Sequence, residues 1–117
     1  MSDTPAATLA PTEAEILRDV LEYLRRRNVL HWRNNTGAAR RGKRVVHFGE
    51  PGLPDIFVVL PGTQGQLAAV EVKRPGKVPT PEQDAWLLRF AKAGCVAAVV
   101  TSVRDMEVTL DMHGVVV

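Results

Sequence analysis

Ile16, Val20 and Leu24 recur at helical spacing among polar and charged positions, with Leu17 and Leu21 beside them. That spacing gathers the apolar side chains into one stripe and predicts an amphipathic helix ending before Asn28. Thr12, with Glu15 three positions on, supplies the capping-box pattern at its start. Further along the period shortens. Ile56-Phe57-Val58-Val59-Leu60 and Leu67-Ala68-Ala69-Val70-Glu71-Val72 are apolar, β-rich runs separated by Pro61-Gly62-Thr63-Gln64-Gly65, and so predict a hairpin. Val29 to Arg33 predicts a short first strand. A polar turn over Asn34 to Gly37, a basic loop and a strand-like extension at Val45 to Phe48 follow. Thr80 and Pro81 open a second helix with Trp86, Leu87 and Phe90 on its apolar stripe, and Gly94 ends it. Cys95 to Thr101 predicts a buried strand, Ser102 the cap of a short helix reaching about Leu110, and Val115 to Val117 a candidate edge strand. The order helix, strand, hairpin, helix, strand predicts an α/β fold with a mixed sheet flanked by helices.

The hairpin carries the chemistry. With its tip centred on Thr63, the register sets Asp55 opposite Glu71, and cross-strand partners hold their Cβ atoms about 5 Å apart. Side chains alternate along a strand, so Glu71 and Lys73 share one face. Two carboxylates this close repel each other and raise one pKa unless a cation neutralises them. Hard oxygen ligands without a Cys or His cluster favour Mg²⁺ or Mn²⁺, which are held by one or two carboxylates and substrate phosphate. His31, His47 and His113 are too dispersed for a zinc site. Lys73, on the same face, is suited to orienting or deprotonating an attacking water. Taken singly, Asp55 also reads as a turn cap, and Glu71 with Lys73 as an exposed strand face.

Charge sharpens this picture. The net charge of +2 hides a segregated pattern, because no acidic residue stands between Tyr23 and Gly49 while Arg25, Arg26, Arg27, Arg33, Arg40, Arg41, Lys43 and Arg44 all do. A cationic stretch beside an acidic pocket suits an enzyme acting on a polyanion: the cations hold phosphates and the acids recruit metal. Arg25 to Arg27 also fit the C-terminal end of the first helix through its dipole.

The 117 residues, 45% of them hydrophobic, suffice for one core: a single domain over 12–117 behind a flexible segment, 1–11. The lone Cys95 is expected as a buried thiol rather than a nucleophile. With no long apolar run and no secretory signal, an intracellular, cytoplasmic protein without membrane association is expected.

Four motifs in order carry a resemblance to a known family: Gly52-Leu53-Pro54-Asp55, Glu71-Val72-Lys73, Pro81-Glu82-Gln83 opening a helix, and upstream the helix of Glu13 with Trp32-Arg33-Asn34-Asn35-Thr36-Gly37. Over residues 12 to 101 the chain resembles the VRR-NUC domains of the PD-(D/E)XK nuclease superfamily. The resemblance implies a restriction-endonuclease-like core of order αβββαβ, in which Asp55 and Glu71 bind Mg²⁺ or Mn²⁺ with the Val72 carbonyl, and Lys73 is catalytic. It also implies a helix glutamate and Gln83 completing the site. Glu13, on the core-facing stripe, fits that glutamate, with Glu15 as the substitute because it suits the cap. Gln83 equally suits a capping box with Thr80. Arg33, Asn34, Asn35, Arg40, Arg41, Lys43 and Arg44 become the DNA-binding set. The expected activity is a metal-dependent DNA endonuclease, working as a homodimer on branched DNA such as four-way (Holliday) junctions. A non-catalytic DNA-binding module with this fold and an RNA-directed nuclease are the alternatives.

Overall fold

The computed structural model describes residues 10–35 and 37–113. The expected strand at Val115 to Val117 and most of the segment 1–11 lie outside them. Helix α1 (Glu13–Arg26) is followed by strands β1 (His31–Arg33), β2 (Gly37–Arg41), β3 (Arg44–Phe48), β4 (Ile56–Val59) and β5 (Leu67–Val72), helix α2 (Pro81–Lys92), strand β6 (Val96–Val100) and helix α3 (Val103–His113).

One sheet has the order β1-β4-β5-β6, antiparallel across the first three and parallel between β5 and β6. Strands β2 and β3 form a separate two-stranded ribbon. Without that insertion and the terminal α3, the order α1-β1-β4-β5-α2-β6 is the expected αβββαβ core with a mixed sheet.

Alternation along β4 and β5 divides the sheet into two faces. Ile56, Val58, Leu60, Ala68, Val70 and Val72 pack with Ile16, Val20 and Leu24 of α1 and with Met106 and Leu110 of α3. On the other face Phe57 meets Phe90 of α2 edge-on at 5.1 Å between ring centroids. Burial of the first face is the main source of stability, since each large apolar side chain contributes about 1.5–3 kcal/mol when removed from water.

Local signals end the helices. Thr12 and Glu15 form the reciprocal capping box of α1. At its far end Asn28 takes φ 55° and Val29 donates back to the Leu24 carbonyl, closing the last turn. Gly94, at φ 98°, does the same for α2.

Three expectations change. The basic loop is a β-hairpin: Gly42 at φ 61° lets Arg41-Gly42-Lys43-Arg44 turn tightly, and pairing runs from Arg41 with Arg44 to Gly37 with Phe48. Strand β6 is not fully buried, because it is an edge strand that alternates toward solvent until Val100. Cys95 precedes that strand and is half-buried.

The approach to β4 is a turn whose residues are dictated by geometry. Pro51 and Gly52 occupy its centre, Leu53 N donates to the Glu50 carbonyl at 3.2 Å, and Gly52 has φ 80°. A Cβ on Gly52 would stand 2.7 Å from Cγ and 3.2 Å from the carbonyl carbon of Glu82 at the start of α2. Gly52→Ala is therefore expected to cost about 1–3 kcal/mol through the positive φ and the overpacking together, read as a lower urea midpoint; an unchanged midpoint would refute the close approach.

Candidate active site

Strand β4 pairs Ile56 with Val70, which carries the register on to set Asp55 opposite Glu71 at the end of the ladder. Past that end, the Asp55 side chain substitutes for a strand: its Oδ2 accepts from Val72 N at 2.7 Å. The same bond fixes the carboxylate against Glu71 and leaves Oδ1 for another partner. On the opposite edge of β5, Lys73 N donates to the Val100 carbonyl at 3.0 Å, so the Glu71-Val72-Lys73 triplet is held from both sides.

Glu71 is 1% exposed and Lys73 8%, in a layer otherwise apolar. Lys73 Nζ lies 3.8 Å from Glu71 Oε2 and 3.9 Å from Glu13 Oε2. These are ion-pair separations, too long for hydrogen bonds. Glu71 Oε1 is buried with no hydrogen-bond partner. Burial, then the Asp55 carboxylate and its hydrogen bond, push the Glu71 pKa up to about 8 against the pull of Lys73. Glu71 and Glu13 face one ammonium while Asp55 stands against Glu71, an excess of negative charge that a proton or a cation relieves.

That orphaned oxygen is the test of fit for a metal. Among the described residues no group of three or more His, Cys, Asp or Glu side chains is arranged to hold an ion. The donor set is instead a carboxylate pair, Asp55 and Glu71, joined at Val72 by the backbone. Hard oxygens in that number match what Mg²⁺ takes, with water and phosphate filling the rest. The residues fit Mg²⁺ or Mn²⁺.

The other candidates separate. Glu13, at the first turn of α1, reaches Lys73, whereas Glu15 is occupied by the cap on Thr12. Gln83 Oε1 accepts from Thr80 N at 2.9 Å, a capping box that holds this oxygen at the start of α2. Asn34 points inward: its backbone N donates to the Asp55 carbonyl and its Nδ2 to the Pro54 carbonyl, both at 2.8 Å. It pins the segment that presents Asp55, a role its polar turn-like surroundings in the sequence did not signal. Trp86 is a second such pin, missed as a positioning residue: its Nε1 donates to the Pro51 carbonyl at 3.1 Å while Arg89 lies 4.3 Å over its ring. Arg33 and Asn35 flank Asn34 with exposed side chains, and Arg40, Arg41, Lys43 and Arg44 line the end of the ribbon.

A sheet with this order and a carboxylate pair followed by lysine at its centre defines a PD-(D/E)XK-like nuclease fold. The profile of the VRR-NUC domain matches residues 12–104, so the chain belongs to the VRR-NUC family of nuclease domains. Two solved structures are similar. One, described as a VRR_NUC domain protein, is 19% identical, covers 87% of each chain and superposes with a TM-score of 0.58. The other, a VRR_NUC domain, is 25% identical over 88% of this chain and 99% of its own, with a TM-score of 0.57. No curated protein matches the sequence.

The raised Glu71 pKa has a sign. The folded state holds a proton that the unfolded chain releases near 4.5, so this group's stabilisation is complete below pH 4.5 and is lost as pH rises through about 8. The metal-free protein, melted in EDTA from pH 5 to 9, is expected to lose stability progressively. Glu71→Gln should flatten that slope, and a wild-type profile that is already flat would contradict the assignment.

Proposed function

We propose that the protein is a divalent-metal-dependent DNA endonuclease that hydrolyses phosphodiester bonds, selective for branched DNA such as four-way junctions and active as a homodimer. The observation that carries the reading is the buried, unpartnered Glu71 oxygen between Asp55 and Lys73. A buried carboxyl oxygen left without a partner, beside a second carboxylate, is costly to keep. A site that binds a cation and a phosphate accounts for it, where a structural ion pair does not.

Bound between Asp55, Glu71 and the Val72 carbonyl, Mg²⁺ or Mn²⁺ would supply Lewis-acid stabilisation of a phosphoryl oxygen. The protein's own groups do the rest. Lys73 is held at the edge of the pocket by Glu71 and Glu13, within reach of a water beside the phosphate. There it orients the water for in-line attack and stabilises the negative charge developing on the phosphoryl oxygens. Glu13, half-exposed, pairs with Lys73 and takes the water's proton. Gln83 joins the site from the start of α2 in this reading, through the amide nitrogen that its capping bond leaves over. Asn34 and Trp86 keep Asp55 and the Gly52 turn from drifting, since displacements of about 1 Å lower rates by about 10²-fold.

The Arg33, Arg40, Arg41, Lys43 and Arg44 side chains supply cations for the phosphodiester backbone, and the neutral amides of Asn34 and Asn35 add hydrogen-bonding groups beside them. Junction preference and the homodimer are supported by the resemblance to VRR-NUC nucleases and by the need for two sites to cut two strands. Residues 12–117 then act as one nuclease domain, in the cytoplasm where cellular DNA is met. No helix among the described residues is long and apolar enough to cross a membrane.

Labelled linear, flapped and four-way-junction DNA, incubated with the full chain and Mg²⁺, Mn²⁺ or EDTA, tests this directly. Cutting should require metal, favour branched substrates, and fall on the order of 10²-fold or more in Lys73→Ala and Asp55→Ala. Junction binding with no cutting under any metal would replace the nuclease with a binding module.

A further inference from the structure

The β2-β3 ribbon is unlike the rest of the molecule. Every residue of β3 is exposed, as are four of the five in β2, and the ribbon packs against no other element among those described. Register puts Arg41 directly opposite Arg44, with Lys43 in the turn and Arg40 one position back. Like charges opposite one another across a ribbon are destabilising. Among the described residues none of these four cations forms an ion pair, and no acidic residue lies between Tyr23 and Gly49 to relieve them.

Alternation gives one face of the ribbon an apolar strip of Ala39, Val46 and Phe48, the last 46% exposed, leading to the Arg41-Arg44 pair at the tip. Both flanks of the ribbon are tied down, one to the segment that presents Asp55 and the other to α2. Asn34 on one side bonds Pro54 and Asp55, and Pro51 on the other accepts from Trp86. A free-standing cationic arm with fixed feet is a device for reaching along a ligand that extends beyond the site.

Resting on the nuclease reading, we propose that the ribbon lies in the major groove of the B-form DNA arm flanking the cut, its tip cations on the phosphates of the groove walls and its apolar strip toward the base edges. The major groove, about 12 Å wide, admits a two-stranded β-ribbon, whereas the minor groove, about 6 Å wide, does not. Thymine methyls in the major groove are partners for small apolar side chains such as Val46 and Ala39. Strands of five residues at about 3.4 Å each reach about 17 Å, or about five base pairs at about 3.4 Å per pair. The substrate is therefore defined as a branch with a duplex arm at least that long on one side of the cut. The A-form major groove of RNA is too deep and narrow for the ribbon, so double-stranded RNA is excluded from this contact.

The test is binding by the full chain, measured by fluorescence anisotropy in EDTA so that hydrolysis plays no part. Probes are flapped DNAs whose duplex arm is about 3 or about 12 base pairs, below and above the ribbon's reach, and a double-stranded RNA of the longer length. The long arm should bind about 10-fold tighter than the short arm and the RNA. Methyl green, a major-groove ligand, should displace the protein while distamycin, a minor-groove ligand, should not. Arg41→Glu with Arg44→Glu should erase the arm-length preference without moving the melting midpoint, because the tip packs on nothing. Competition by distamycin alone, equal affinity for both arms, or RNA binding equal to DNA would overturn the ribbon's placement. So would a Phe48→Ser variant that loses self-association in sedimentation while keeping its DNA affinity and competition pattern, which would make the strip a contact with a second copy. The competition pattern needs only the wild-type protein. Groove-sensitive binding without cleavage by the wild type would sink the nuclease reading alone; cleavage indifferent to arm length would sink the ribbon alone.

Discussion

Two carboxylates meeting at the end of a sheet are the constraint around which the structure is arranged. The antiparallel register of β4 and β5 brings Asp55 against Glu71, and burial of Glu71 makes their repulsion a property of a low-dielectric interior. Nothing local relieves it in full. Lys73 answers one charge at almost 4 Å, and the Val72 N–H steadies one oxygen of Asp55. The remainder is what a proton on Glu71, or the proposed cation, would take up. A fold seeking only stability would have filled Glu71's place with an apolar side chain, as at Val70 and Val72 on either side.

The surrounding elements then serve as braces. Asn34 grips the chain immediately before β4, Trp86 grips the turn before that, and Gly52 lets the turn come against α2 without a Cβ between them. Helix α1 packs on the far face of the sheet through Ile16, Val20 and Leu24 while its first turn brings Glu13 to Lys73. Helix α2 likewise opens on a capping box that fixes Gln83 while Leu87 and Phe90 pack beneath.

Much of this was legible in the sequence because it is local. The Thr12-Glu15 box, the α1 stripe, the hairpin centred on Thr63 and hence the opposition of Asp55 and Glu71 all follow from spacings within a single helix or a single hairpin. Tertiary contacts were not legible. Asn34 lies twenty positions from Pro54, and no spacing rule announces that its amide turns inward to hold Asp55 rather than outward to solvent. Of the β2-β3 ribbon only the Val45 to Phe48 half reads as strand-like; neither face is buried and β2 is small and cationic, so no burial pattern marks its pairing with β3 across the Gly42 turn. Gln83 reads as part of the pocket with the cap as the alternative, and the structure shows the cap made.

The central claim is that the Asp55-Glu71 pair is a divalent-cation site held protonated when empty. Titrating Mn²⁺ into the protein by calorimetry near pH 7, in two buffers of different ionisation heat, measures both binding and the protons it displaces. The account predicts a single site per chain that releases close to one proton on filling and disappears in Asp55→Asn and Glu71→Gln. Binding that releases no proton, or that survives both substitutions, would contradict it.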